Sequence, residues 1–152
     1  MTSPFAVWLL PSYHPNIFMT TLFALIDPSL SVISSTYSTL VYDAVRTLEE
    51  HWDTMIDAIQ IGALPEIYEL GEYRPHIEVW RFDFYKFSPF PAYRSDFHFQ
   101  GYFKPHPDRA RELRKIEKGA EGWLKRVWPS LTVIRTTFGC VYAAPVPKVS
   151  FL

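Results

Sequence analysis

The chain has 152 residues, with 15 Lys and Arg against 16 Asp and Glu and a formal net charge of −1. This length is typical of one domain that can bury a core. The near balance of charge excludes an overall field that would favour nucleic acid or anionic lipid. The sequence has no run of about eighteen apolar residues, the amino terminus lacks the positive region of a secretory signal, and the single cysteine, Cys140, cannot form an internal disulfide. We therefore expect a soluble, cytoplasmic protein.

The first predicted elements are short. The apolar run FAVWLL, Phe5 to Leu10, lies between two prolines and favours a strand that is covered on both faces. SYHPNIFMTTLFALIDP predicts a helix with Pro15 in its first turn, ended by Asp27-Pro28. LSVISS, residues 30–35, predicts a second strand.

A long amphipathic helix is the clearest prediction. Ser38 or Thr39 is a plausible cap, and Gly62 is a plausible left-handed terminator. Acidic and basic residues alternate with the apolar ones and can face water. The apolar residues recur at helical spacing from Ser38 to Ile61: Leu40, Val41, Ala44, Val45, Leu48, Trp52, Met55, Ile56 and Ile59.

The last third of the chain predicts two helices and a strand. Pro107 to Gly119 is charged and has a proline in its first turn, after His106 and before Asp108. EGWLKRVWP predicts a short helix, and the β-branched run LTVIRTTF, residues 131–138, predicts a strand. Strands that alternate with helices indicate the α/β class, with parallel strands joined by crossover helices.

Few residues indicate chemistry. The five histidines lack metal-binding spacing, and there is no phosphate-binding glycine loop. Cys140 follows a predicted strand, but without an identifiable base it is more typical of a small buried residue than of a nucleophile. A basic cluster on one helix is interrupted by glutamates and is interpreted as a solvated face. Its members are Arg109, Arg111, Arg114, Lys115 and Lys118.

Residues 79–100 are exceptionally aromatic. VWRFDFYKFSPFPAYRSDFHFQ contains nine of the 26 Phe, Tyr and Trp residues of the chain. In a strand, its rings and nearby basic side chains could stack nucleobases. The alternatives are a core strand or an exposed, adhesive edge, and the absence of net positive charge argues against nucleic acid.

Residues 2–65 resemble the auxin-responsive acyl-acid amido synthetases, which are adenylate-forming enzymes. The similar features are TSP near the start, SY opening a helix, and EEHWDTMIDAIQIGALP, where Trp52, Ile59, Gly62 and Leu64 fall on the family pattern LExxWxxLxxDIxxGxL. PHPDRARELRKIEKGAEGWLKRVWPSLTVIRTTF and VPKV are similar to two later segments. Fungal-type relatives look closest. Cys140 departs from the glycine that relatives usually have there.

The resemblance implies that residues 1–152 are an incomplete, internal portion of the large domain of such an enzyme. Complete members use ATP and Mg to join a hydrophobic carboxylic acid to an amino acid through an acyl adenylate. Because this chain lacks their nucleotide-binding motifs, we expect it to bind no cofactor and to be inactive alone. By position, Leu40 and Val41 are the nearest equivalents of residues that help line the acyl-acid pocket. The alternative is that both belong only to the buried face of the helix, and no catalytic residue is assigned.

The aromatic stretch has no counterpart in the family, so residues 79–100 are interpreted as an insertion. A valine codon, as at residue 79, begins with GT, and Gln100 can be encoded by CAG. A typical intron begins with GT and ends with CAG, so a translated intron is one hypothesis. Two other functions stay open. One is a small binding or interaction module that uses an exposed aromatic strand, and the other is a degenerate protein that associates with a full-length homologue.

Overall fold

The computed structural model of the chain describes residues 3–78 and 103–137. Seven α-helices and two strands lie in these ranges, with one 3₁₀ turn, Gly71–Tyr73, before the fifth helix. In chain order they are α1 (Phe5–Trp8), α2 (Tyr13–Ile26), β1 (Val32–Tyr37), α3 (Ser38–Glu50), α4 (Trp52–Ile61), α5 (Arg74–Glu78), α6 (Pro107–Leu113), α7 (Trp123–Val127) and β2 (Val133–Thr137).

The strand predicted at Phe5 to Leu10 is wrong, because this run begins with a helical turn. The Val7 N–H donates to the carbonyl of Pro4, and the Leu10 N–H donates to that of Val7. Val7 and Leu10 are buried, whereas Trp8 is 57% exposed. A strand covered on both faces would bury every side chain, whereas one turn of helix buries positions three apart.

The long predicted helix is present but is interrupted at His51. The backbone there has φ −112° and ψ 20°, which separates α3 from α4. Hydrogen bonds still cross the interruption, since the His51 N–H donates to the Thr47 carbonyl and the Met55 N–H to the His51 carbonyl. The long helix is therefore distorted at His51 rather than terminated there. Most of the predicted apolar face is buried, while Leu40 and Ala44 are half-buried.

Gly62 ends α4 as the sequence predicts, in a left-handed conformation with φ 73°. It also lies against the segment that returns after residue 102. A Cβ atom built on Gly62 would stand 2.3 Å from the nitrogen of Pro105, and the His106 N–H donates to the carbonyl of Ile59. The end of α4 and the start of α6 are therefore in direct backbone contact.

The two strands pair in parallel, which confirms the α/β class. Val32 lies opposite Val133 and Ile33 opposite Ile134, and the register shifts between Ser34 and Tyr37. Val32 and Val133 are each 47% exposed. Parallel sheets are normally covered on both faces, so this face of the sheet is unusually open.

One core cluster contains residues from both described ranges. Trp52 of α4 meets Trp123 of α7 edge to face, with ring centroids 5.4 Å apart, and Phe23 meets Phe103 in the same way at 5.6 Å. α6 ends at Leu113, earlier than predicted, and α7 has the predicted inward face of Trp123, Leu124 and Val127, followed by buried Trp128.

Candidate functional site

The carboxyl ends of β1 and β2 meet at one edge of the sheet. Tyr37 lies opposite Thr137 there, and α3 begins at the next residue, Ser38. Open α/β sheets commonly bind ligands at the carboxyl ends of their strands. This edge is therefore the candidate functional site in the described part of the chain.

The two residues that the sequence assigns to an acyl-acid pocket lie in the first turn of α3, at this edge. Leu40 is half-buried, and Val41 is only 4% exposed. Among the described residues, Val41 is buried without being part of the core cluster, whereas Val45, one turn later, belongs to it. The first turn of α3 therefore places apolar side chains next to the strand ends and apart from the core.

A hydrogen bond ties the start of α2 to α3 beside this turn. The Tyr13 hydroxyl donates to Oδ2 of Asp43 at 2.5 Å. Burial, followed by the hydrogen bond and the charge of Asp43, raises the pKa of Tyr13 from 10.0 to about 12. The phenol is the donor in this hydrogen bond, and the raised pKa keeps it protonated to a higher pH than that of an ordinary tyrosine. The sequence indicated this residue only through the SY pair that opens the helix, and gave no reason to connect it with Asp43.

Arg109 corrects the interpretation of the basic cluster as a solvated face. Its side chain is 8% exposed, and its Nε donates to the carbonyl of Leu25 at 2.9 Å while Nη2 donates to that of Val127 at 2.7 Å. Burial lowers the pKa of Arg109, and Glu112 opposes that shift. Other members of the cluster are exposed, and Arg111, Arg114 and Lys118 pair with Asp108, Asp57 and Asp53 respectively.

Two kinds of feature find no place in the described residues, and two stretches singled out in the sequence lie outside them. Within residues 3–78 and 103–137, no group of three His, Cys, Asp or Glu side chains is placed to hold a metal ion. None of the helices in those ranges combines the length and apolarity needed to cross a bilayer. Cys140 and the aromatic stretch 79–100 lie outside the described residues.

The described elements form an α/β segment with a parallel strand pair, and solved structures of known proteins share this fold. A solved structure, "GH3.15 acyl acid amido synthetase", matches 99% of this chain with a TM-score of 0.73 and 18% identity. "AtGH3.15 acyl acid amido synthetase in complex with 2,4-DB" matches 90% with a TM-score of 0.61 and 16% identity. This chain spans 23% and 21% of those two chains.

A family model matches the amino-terminal part of the chain. Residues 1–74 match the GH3 family N-terminal domain, whereas no curated protein sequence matches significantly. Together, the family match and the shared fold confirm the resemblance to the acyl acid amido synthetase family that the sequence indicated.

Proposed function

We propose that this chain forms part of the large domain of an ATP-dependent ligase that conjugates a carboxylic acid to an amino acid through an acyl adenylate. The observation that carries the proposal is the match of almost the entire described fold to an acyl acid amido synthetase of more than four times its length. The open face of the parallel sheet, with Val32 and Val133 about half exposed, further supports a role as one part of a larger body.

The chain alone is expected to be inactive, because the sequence has no phosphate-binding glycine loop. Adenylation requires groups that clamp the phosphates and stabilise the charge that develops as pyrophosphate leaves. The test is acid-dependent exchange of labelled pyrophosphate into ATP, with 2,4-DB as the acid and the matching acyl acid amido synthetase as the positive control. We expect exchange at the background rate. Exchange near the rate of the control would overturn the proposal that this chain is only a part of the enzyme.

We further propose that Leu40 and Val41 contact the apolar part of the acid substrate. They lie at the carboxyl ends of the strands, and Val41 is buried apart from the core cluster. Aliphatic side chains suit a hydrophobic acid, because ligand pockets are lined mostly by such groups. The first turn of α3 would then act as one wall of the acid site.

The variant Leu40→Ala, made in this chain of 152 residues, tests whether the first turn of α3 forms a wall of the acid site. Removing the apolar contact is expected to weaken 2,4-DB binding roughly tenfold, measured from ligand-induced NMR shifts of the methyl groups. Ile116→Ala is the matched control, because Ile116 is also partly buried but follows α6. If the acid shifts no methyl resonance of Leu40 or Val41, or if both variants weaken binding equally, the assignment is wrong.

A further inference from the structure

A cleft that is lined by none of the strand-end residues has no assigned role. It lies between the chain that precedes α2 and the 3₁₀ turn Gly71–Tyr73, has a volume of about 350 Å³ and is open to solvent along one side. Its exposed lining area is mostly apolar, and Leu10 and Leu70 are buried at 9% and 3% exposure. The residues that line it are Leu10, Pro11, Ser12, Pro15, Glu69, Leu70, Gly71, Glu72 and Tyr73.

Two carboxylates stand on the rim of this apolar cleft. Glu69 and Glu72 are exposed, and neither forms an ion pair with a described residue. Arg74 does not neutralise them, because its guanidinium binds Glu78 and the carbonyls of Leu64 and Pro65. The cleft therefore combines apolar walls with two carboxylates that no described basic residue pairs.

The amino terminus of α2, with Ser12 at the cap position, opposes this charge only in part. A helix amino terminus carries the equivalent of roughly half a positive charge, whereas Glu69 and Glu72 carry two full negative charges. The net potential of the rim is negative. An occupant that complements it has an apolar body and a positive end.

We propose that this cleft binds a segment of a partner polypeptide in which a Lys or Arg follows an apolar residue. The aliphatic stem of the basic side chain would lie along Leu10 and Leu70, and its charged head would reach Glu69 and Glu72. The open side favours a peptide over a free small molecule, because small-molecule sites bury most of the ligand surface. This binding site does not depend on the proposed ligase role, and each can fail without the other.

The probe is the tripeptide leucyl-lysyl-leucine, acetylated and amidated at its ends, and the readout is the shift of the backbone amide resonances of residues 69–73. We expect saturable binding with a Kd on the order of 1 mM, as befits a small interface. The double variant Glu69→Gln, Glu72→Gln should weaken it about tenfold, because each exposed charge pair contributes a few-fold to affinity. Raising the salt concentration should weaken binding of the original chain as well.

Glu66→Gln is the matched control, because Glu66 is exposed in the same stretch but does not line the cleft. It should leave the affinity unchanged, and the tripeptide with glutamate in place of lysine should not bind. The proposal is overturned if the basic tripeptide causes no saturable shift, if the acidic one binds equally, or if affinity is insensitive to salt. Equal weakening by Glu66→Gln would also overturn it, since the effect would then come from net charge alone.

Discussion

Gly62→Ala is expected to lower the free energy of unfolding by about 4 kcal/mol, because a side chain at this position is disfavoured in two independent ways. The residue has φ 73°, a left-handed conformation in which a Cβ costs about 1–2 kcal/mol. The added atom would also stand 2.3 Å from the nitrogen of Pro105 and 2.7 Å from the carbonyl carbon of Lys104. Both are backbone atoms, so relief requires the end of α4 to separate from the start of α6. Urea denaturation measures the loss.

Gly119→Ala is the control that separates these two costs. Gly119 has a similar φ of 77°, but a Cβ there would meet no atom within 4 Å. Its substitution should cost only the left-handed conformation, about 1–2 kcal/mol. Equal losses for the two variants would show that the contact between Gly62 and Pro105 contributes nothing to stability.

Arg109→Met is expected to cost about 3 kcal/mol, although it replaces a charged side chain by an apolar one of similar length. Arg109 donates to the carbonyl of Leu25, near the end of α2, and to that of Val127, the last residue of α7. Methionine retains much of the packing of the stem but leaves two carbonyls near helix ends without this donor, and an unsatisfied buried acceptor costs about 1–3 kcal/mol. The melting temperature should fall by roughly 10 °C for a chain of this size.

Arg111→Met makes the same chemical change two residues later on α6, at an exposed position. Arg111 is 74% exposed and pairs only with exposed Asp108 among the described residues, and such pairs contribute about 0–1 kcal/mol. Its melting temperature should therefore change by only a few degrees. If Arg109→Met and Arg111→Met melt at the same temperature, the double capping role of Arg109 is refuted.

The spacing of apolar residues predicted the helices whose buried side chains recur at regular intervals along the chain. The apolar spacing identified α2 and the face of α3 and α4, and Gly62 marked the end of α4, because a left-handed residue after an apolar helix is a local property of the chain. The strand predicted for FAVWLL is wrong because a short apolar run fits a strand or a buried helical turn equally well. The bend at His51 could not be predicted, because neither proline nor glycine marks it. It lies where His51 packs edge to face against Phe18, at 5.4 Å.

The site was less predictable than the fold. Leu40 and Val41 are indicated by the family resemblance and by no local pattern in the sequence. The sequence predicts a solvated Arg109, because arginine at helical spacing among glutamates is usually solvated. Its burial depends on carbonyls of α2 and α7 that are 84 and 18 residues away along the chain. The Tyr13–Asp43 hydrogen bond likewise spans 30 residues, and no local pattern encodes such a pairing.

The capping of α2 also bears on how this polypeptide matures during synthesis. The carbonyls of Ala24 and Leu25 receive donors from Trp128 and Arg109, which follow them by 104 and 84 residues. At a synthesis rate of about 5–20 residues per second, α2 would therefore wait several seconds after its own synthesis before either donor residue was made. During that interval α2 would expose apolar surface that the finished core covers, and such transiently exposed surface is prone to aggregation.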